Sequence, residues 1–239
     1  MAVNPEELSK TLSFTLNGQA ISAAENETIL DVAKREGIDI PHLCYSERQG
    51  EAGNCRACMV EIDGERVLAA SCCRSPTENM VVKTHSERAV RSQKMILELL
   101  KADVSEQPHT LNSELDHWAG KLEVGLPRFI ARTQPKRDIS HPGIAVNMDA
   151  CIQCTRCVRA CRDEQNNDVI GLAMRGSHAQ IVFDLDDPMG ESTCVACGEC
   201  VEACPTGALM PANDVGMAEP DRKVDSVCPY CGVGCQLTY

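Results

Sequence analysis

The chain has 239 residues, room for two small domains or one large one. Its net charge of -12 argues against a nucleic-acid partner, and 3% aromatic residues leave few large side chains for a core. Sixteen cysteines suit either a secreted disulfide framework or metal binding, but MAVNPEELSKTLSF carries no apolar signal region, and no run nears the ~18 apolar residues of a membrane span. The expectation is a cytoplasmic protein whose thiols stay reduced and hold metal, with metal binding coupled to folding.

The first element expected is a hairpin, because TLSFTLNGQAIS sets Asn17-Gly18 between two alternating runs. TILDVAKREG then reads as a helix. Thr28 and Asp31 have capping spacing, Ile29, Leu30, Val32 and Ala33 face inward, and Gly37 can end it. The next stretch holds Cys44-x10-Cys55-x2-Cys58-x13-Cys72, with Gly50 and Gly53 letting backbone wrap closely around an inorganic core. The Cys55/Cys58 pair can hold one iron, and strands MVEI and RVLAA, joined at Asp63-Gly64, lead back to the last ligand. Cys72 and Cys73 compete for that last place. Hairpin, helix, Cys-rich loop and hairpin is the order of a β-grasp ferredoxin, although the spacing departs from the plant-type C-x4-C-x2-C run. Over residues 11 to 84 the chain resembles the N-terminal [2Fe-2S] domain shared by the large peripheral subunit of NADH:quinone oxidoreductase, iron-only hydrogenases and NAD-dependent formate dehydrogenases. The resemblance implies one [2Fe-2S] cluster on Cys44, Cys55, Cys58 and Cys72. It favours Cys72 because the family has Met eight residues after the ligand, as Met80 is here, and a preceding Ala-x, here Ala70-Ser71. Cys73 is then a spare thiol.

SERAVRSQKMILELLKADV reads as an amphipathic helix capped by Ser86, with Val90, Met95, Ile96, Leu99 and Leu100 on its apolar side. Related proteins often continue with H-x3-C-x2-C-x5-C, which holds a further [4Fe-4S] cluster. EQPHTLNSELDHWAGKLEVG has His109 and His117 but no cysteine, so that cluster is expected to be missing. The two histidines are read as surface or packing residues and Trp118 as a local anchor. In the connection from 125 to 147, Arg128, Arg132, Lys136 and Arg137 either meet a partner or a neighbouring acidic surface, or belong to a solvated linker.

The strongest signal runs from Cys151 to Pro205. CIQCTRCVRAC and CVACGECVEACP each contain C-x2-C-x2-C-x3-C, a spacing in which one tight loop gives three thiolates to a cube of iron and sulfide and the fourth comes from afar. Zinc sites use pairs of C-x2-4-C or Cys/His sets instead. The insert RDEQNNDVIGLAMRGSHAQIVFD suggests a short helix and a strand pair around Arg175-Gly176, with AQIVFD half-buried. The tandem runs resemble a bacterial-type 2[4Fe-4S] ferredoxin, except that Arg162 follows Cys161 where the family has proline. The resemblance implies two [4Fe-4S] clusters, one on Cys151, Cys154, Cys157 and Cys204, the other on Cys194, Cys197, Cys200 and Cys161.

The last stretch, VDSVCPYCGVGCQLTY, sets Cys228-x2-Cys231-x3-Cys235, three thiols of a set that needs a fourth ligand. A zinc knuckle or tail thiols are the plain alternatives. The wording resembles the start of the molybdopterin oxidoreductases, formate dehydrogenases above all, although assimilatory nitrate reductases share most of it. The fold class expected is α+β: a β-grasp [2Fe-2S] domain (1–84), a helical connection (85–144), a 2[4Fe-4S] ferredoxin-like domain (145–212), and a linker with the start of a molybdopterin domain (213–239). The resemblances imply the front of an NAD-dependent formate dehydrogenase catalytic subunit. Its third [4Fe-4S] and its molybdenum or tungsten bis-pterin would be completed downstream, and its partners would include a flavin- and NAD-binding diaphorase-type subunit. These residues alone would carry electron transfer only. A stand-alone electron-transfer subunit of a hydrogenase or other NAD-linked oxidoreductase, or the N-terminal relay of an iron-only hydrogenase, is the alternative.

Overall fold

The computed structural model describes residues 11–104, 109–110, 112–133, 136–216, 222–229 and 232–238. Strands β1 (Thr11–Leu16) and β2 (Gln19–Ala24) pair antiparallel across Asn17-Gly18. Both turn residues have positive φ, 52° and 85°, which a two-residue hairpin turn needs. Helix α1 (Ile29–Arg35) begins at Thr28, whose Oγ1 accepts the Asp31 N–H while the Asp31 carboxylate accepts the Thr28 N–H. That reciprocal cap satisfies two donors the first turn would otherwise leave exposed. Strands β3 (Met59–Ile62), β4 (Ala69–Ala70) and β5 (Val81–Lys83) complete a five-stranded sheet of order β2-β1-β5-β3-β4, with β1 and β5 parallel. The strand expected at RVLAA shrinks to Ala69–Ala70, the part that pairs with Met59 and Val60, and Val67 is 57% exposed. Phe14, Leu16, Leu30, Val60 and Val82 form the sealed centre of this unit.

Helix α2 (Glu87–Asp103) is capped by Ser86, whose Oγ accepts the Ala89 N–H. Its buried residues are Ala89, Gln93, Leu97, Glu98 and Ala102, not the stripe of Val90, Met95, Ile96, Leu99 and Leu100 expected from sequence. Leu99 is 40% exposed and the other four are half-buried. Distant partners explain the difference. The Gln93 Nε2 donates to the carbonyls of Met59 (2.8 Å) and Thr84 (3.4 Å), and the Glu98 carboxylate takes a two-pronged grip from Arg128 at 2.7 Å on each side. A buried polar group so paired no longer opposes burial. A second helix, α3 (Glu114–Lys121), is capped by Ser113 and buries Leu115, Trp118 and Ala119.

The second unit is built twice over. Strand β6 (Ile144–Val146) leads to the first cysteine run, helix α4 (Arg156–Arg159) and strand β7 (Ile170–Ala173). Strand β8 (Gln180–Phe183) leads to the second run, helix α5 (Glu199–Ala203) and strand β9 (Leu209–Pro211). β6 pairs with β9 and β7 with β8, both antiparallel. β8 is buried at three successive residues, Ile181, Val182 and Phe183, so the half-buried alternation expected for it is replaced by burial on both faces. A short exposed hairpin, β10 (Asp225–Val227) with β11 (Gln236–Thr238), follows.

A third core joins the two units. Leu43, Cys44, Cys55 and Ala57 come from the first, Leu97 from α2, Leu115 and Trp118 from α3, and Ile152 and Cys154 from the second. Leu97 has no exposed surface. Truncating it to alanine should cost about 2–5 kcal/mol, as for other sealed leucines, and lower the urea midpoint of the whole protein. A loss well under about 1 kcal/mol would show that this junction is not a close-packed core.

Candidate metal centres

Four thiols converge at the edge of the five-stranded sheet. Cys44, Cys55, Cys58 and Cys72 are all at most 8% exposed, and the Sγ atoms of Cys58 and Cys72 are 3.3 Å apart. They behave as one hydrogen-bonded set. Thiols of Cys55 and Cys72 donate to Cys44 and hold it far below the usual thiol range. Those same bonds, together with burial, push Cys55 and Cys72 up. The Cys72 thiol holds Cys58 down to about 7. Only part of the set can ionise at once, so a cationic core taking four thiolates would release the remaining protons. Cys73 lies outside this group: it is exposed, and its Sγ touches only the rim, 3.4 Å from that of Cys72. It closes on Gly53, where φ is +66° and an added Cβ would sit 3.1 Å from the Cys73 sulfur, so a side chain is unfavourable there on both counts.

The second unit encloses two cavities. One is lined by Cys151, Cys154, Cys157 and Cys204, with Met148, Ile152, Ile181 and Leu209. The other is lined by Cys161, Cys194, Cys197 and Cys200, with Ile144, Val169 and Ile170. The fourth cysteine of each run therefore lies in the other run's cavity. The two loops share an unusual backbone. Gln153 and Thr155 in the first, and Ala196 and Gly198 in the second, have φ between 55° and 82° at equivalent places. This curl turns backbone N–H groups toward sulfur: Gln153 N–H to Cys151 and Ala196 N–H to Cys194, each at 3.4 Å, with the Leu209 N–H at the same distance from Cys204. Such concavities of N–H groups favour anionic sulfur. Burial works the other way, raising Cys151 to about 11 and Cys200 to about 12, with neighbouring thiolates adding to it. Cys154 and Cys157 are raised further still, again chiefly by burial. Four thiols in an apolar cavity, with N–H groups aimed at them, are a donor set that needs a bound cation to ionise. They fit an iron-sulfide core.

The remaining candidate residues divide. Counted from His109 at the spacing of the H-x3-C-x2-C-x5-C motif, the cysteine places hold Ser113, Asp116 and Leu122. Each has a structural task. Ser113 caps α3, Asp116 pairs with Lys101 at 3.1 Å, and Leu122 packs on the joining core. His109 is buried, its Nε2 3.0 Å from Asp149, whereas His117 is exposed and Trp118 packs beneath. In the connection, Arg128 holds the Glu98 carboxyl down to about 2 through its hydrogen bonds, and Arg132 donates to the carbonyls of Met148 and Cys151. These two arginines are used within the chain. Cys228 and Cys235 flank the β10–β11 hairpin, the Cys228 N–H donating to the Cys235 carbonyl at 2.8 Å, and Cys231 lies outside the described residues. Residues that motif reading passed over are Gln49, Asn54, Arg156 and Arg159. The signal was two arginines inside CIQCTRCVRAC, where a cluster loop has no need of charge.

Comparison with known proteins agrees with this layout. Residues 9–87 match the 2Fe-2S iron-sulfur cluster binding domain, and residues 141–210 match the ferredoxin-like domain of NADH-quinone oxidoreductase subunit 3. The chain is 36% identical over 234 residues to NADP-reducing hydrogenase subunit HndD of Solidesulfovibrio fructosivorans, covering 89% of this chain and 39% of that protein. It is 33% identical over 244 residues to an NADH-quinone oxidoreductase subunit of Rhizobium meliloti (95% and 27%). It is 28% identical over 275 residues to a supposed formate dehydrogenase of Staphylococcus haemolyticus (95% and 27%). The chain thus spans between 27% and 39% of the length of these curated relatives. Among solved structures, a chain of NAD+-reducing [NiFe]-hydrogenase in the H2-reduced state superposes with a TM-score of 0.80 at 27% identity, over 87% of this chain and 90% of that one. The chain carries a [2Fe-2S] ferredoxin-like domain and a [4Fe-4S] ferredoxin-like domain, of the kind found in oxidoreductase subunits.

Two substitutions test the ligand assignment. Cys204→Ser should diminish the electron paramagnetic resonance (EPR) signal of the cluster assigned to Cys151, Cys154 and Cys157, and leave that of the run nearer in sequence. Loss of the other signal alone would overturn the crossed grouping. Cys72→Ser should remove or strongly alter the [2Fe-2S] spectrum while Cys73→Ser leaves it unchanged; the reverse result would exchange their roles.

Proposed function

We propose that this chain is the electron-relay arm of a formate dehydrogenase catalytic subunit, working between a molybdenum or tungsten pterin centre and a flavin- and NAD-binding diaphorase-type partner. The observation that carries the relay is the joining core, which sets Cys44 and Cys55 of one centre and Cys154 of the next in a single apolar cluster. Iron-sulfur clusters, when bound, take up and release single electrons at nearly fixed geometry. On this reading Cys44, Cys55, Cys58 and Cys72 hold a [2Fe-2S] cluster. Cys151, Cys154, Cys157 and Cys204 hold one [4Fe-4S] cluster, and Cys161, Cys194, Cys197 and Cys200 another. The protein's part is to fix spacing, exclude water and set the local field. Leu43, Ala57, Leu115 and Ile152 keep the gap between the first two sites dry. Ser113, Asp116 and Leu122, standing where relatives have cluster ligands, leave direct contact across this core as the route between the two units.

The formate assignment rests on CPYCGVGCQ, with Cys228, Cys231 and Cys235 as three ligands of a further [4Fe-4S] cluster at the entrance to the pterin domain. A second reading, a relay subunit of an NAD-linked hydrogenase, is supported by the likeness to 90% of the hydrogenase chain. Under anaerobic conditions, formate added to the full native protein should reduce its iron-sulfur signals, and the 239 residues should account for about 10 irons, or about 14 with the last motif completed. Reduction by hydrogen or NADH but not formate would replace the first reading with the second. About 4 irons would sink both.

A further inference from the structure

Between the two units lies a charge that no motif explains. Arg159, the last residue of α4, points out of the first ferredoxin run into the loop that carries Cys44. Its guanidinium donates to three backbone carbonyls of that loop: Cys44, Gln49 (3.0 Å) and Gly50 (3.2 Å). Among the described residues, none of its hydrogen bonds goes to a carboxylate, and its Nε is buried without a partner. Asp163, four residues on, feels its charge only at a distance and hydrogen-bonds Arg162 instead. The neighbouring Arg156 is 8% exposed and also reaches this loop, at the Leu43 carbonyl, but it is neutralised by both oxygens of Glu114 at 2.8 and 2.9 Å. Of these two arginines, Arg156 has a carboxylate partner and Arg159 has only carbonyls.

The cation without a carboxylate stands beside groups that are strongly anionic when loaded. A cluster on four thiolates is a net anion and gains one more negative charge on reduction, so a nearby positive charge stabilises the reduced form more than the oxidised one. Arg159 is half-buried, so its charge is screened less than a fully solvated one. The three accepting carbonyls also tie the charge to the Cys44 loop in fixed geometry, so the field at the first centre is preorganised.

We infer that Arg159 is a positioning and tuning residue for the relay, raising the reduction potential of the centre held by Cys44, Cys55, Cys58 and Cys72 and so favouring electron occupancy at the junction. The inference rests on the cluster assignment proposed above. EPR-monitored redox titration of the loaded protein tests it. Arg159→Gln keeps donors for the carbonyls but removes the charge, and should lower the [2Fe-2S] midpoint so that its reduction equilibrium falls about tenfold, ~59 mV for one electron. Arg159→Lys keeps the charge and should stay near wild type. Glu114→Gln leaves Arg156 unneutralised at the same junction and should shift the midpoint upward, a sign that mere loosening of the interface does not predict. If Arg159→Gln fails to load iron, the direction of the Glu114→Gln shift decides. Equal midpoints for Arg159→Gln and Arg159→Lys, or no upward shift for Glu114→Gln, overturn the inference while the cluster assignment stands. A wild-type protein with no [2Fe-2S] signal overturns the assignment and the inference together.

Discussion

Thiols that cannot ionise alone are the constraint on which this structure depends. In the second unit Cys161 and Cys200 belong to the buried core, and Cys151, Cys157, Cys194 and Cys204 pack on it, around a single aromatic residue, Phe183. A chain with 3% aromatics has sulfur where larger apolar side chains would otherwise fill space. Burial raises Cys154, Cys157 and Cys200, and neighbouring thiolates raise them further. The thiol-lined cavities thus need a bound cation to offset charge. On the proposed cluster assignment, folding and loading would be coupled, as in small metal-held domains whose core is insufficient without metal.

The same constraint shapes the junction. Two cluster loops meeting face to face bring many backbone carbonyls and N–H groups out of water, and each needs a partner. Side chains supply them across the boundary. The Gln49 Nε2 donates to the Arg156 carbonyl at 3.1 Å, and the Asn54 Nδ2 to Thr155 Oγ1 at 2.7 Å. Arg48 reaches from the first unit to Glu164 and Glu199 of the second, while Arg156 and Arg159 reach back. The exposed Arg48 pairs add little stability, being largely solvated. The buried contacts fix orientation, because a guanidinium fork bound to carbonyls has few alternatives.

What was legible in sequence was local. The Asn17-Gly18 turn, the Thr28–Asp31 cap and the Ser86 cap each depend on a few adjacent residues, and the structure has all three. The cysteine runs are legible for the same reason, since one loop supplies three thiols at once. The inward face of α2 was not, because burial of Gln93 and Glu98 depends on Met59, Thr84 and Arg128, far away in the chain. Periodicity counts those two as polar and turns the helix to its other side. For His109 the sequence left surface and packing both open, because its partner Asp149 lies 40 residues on. Arg156 and Arg159 were hidden by their own motif: inside a run of cysteines, the spacing speaks only for the ligands.

The two ferredoxin loops, alike in backbone, differ in what their strained positions hold. A left-handed φ costs a side-chain-bearing residue of order 1 kcal/mol and glycine almost nothing. The second loop uses Ala196 and Gly198, and leaves Val195, Ala196 and Cys197 exposed. The first loop accepts the strain at both places, with Gln153 and Thr155, and uses both side chains. Gln153 donates to the Ala179 carbonyl, and Thr155 accepts from Asn54 of the other unit. Strain at Thr155 is therefore balanced by a contact that exists only when the two units are docked. One loop is committed to the β-grasp unit, with Cys154 in the joining core, and the other stands at the surface, with Cys197 exposed. On the proposed relay, the committed loop is the one that faces the [2Fe-2S] centre, and its two strained residues are kept for the contacts they make.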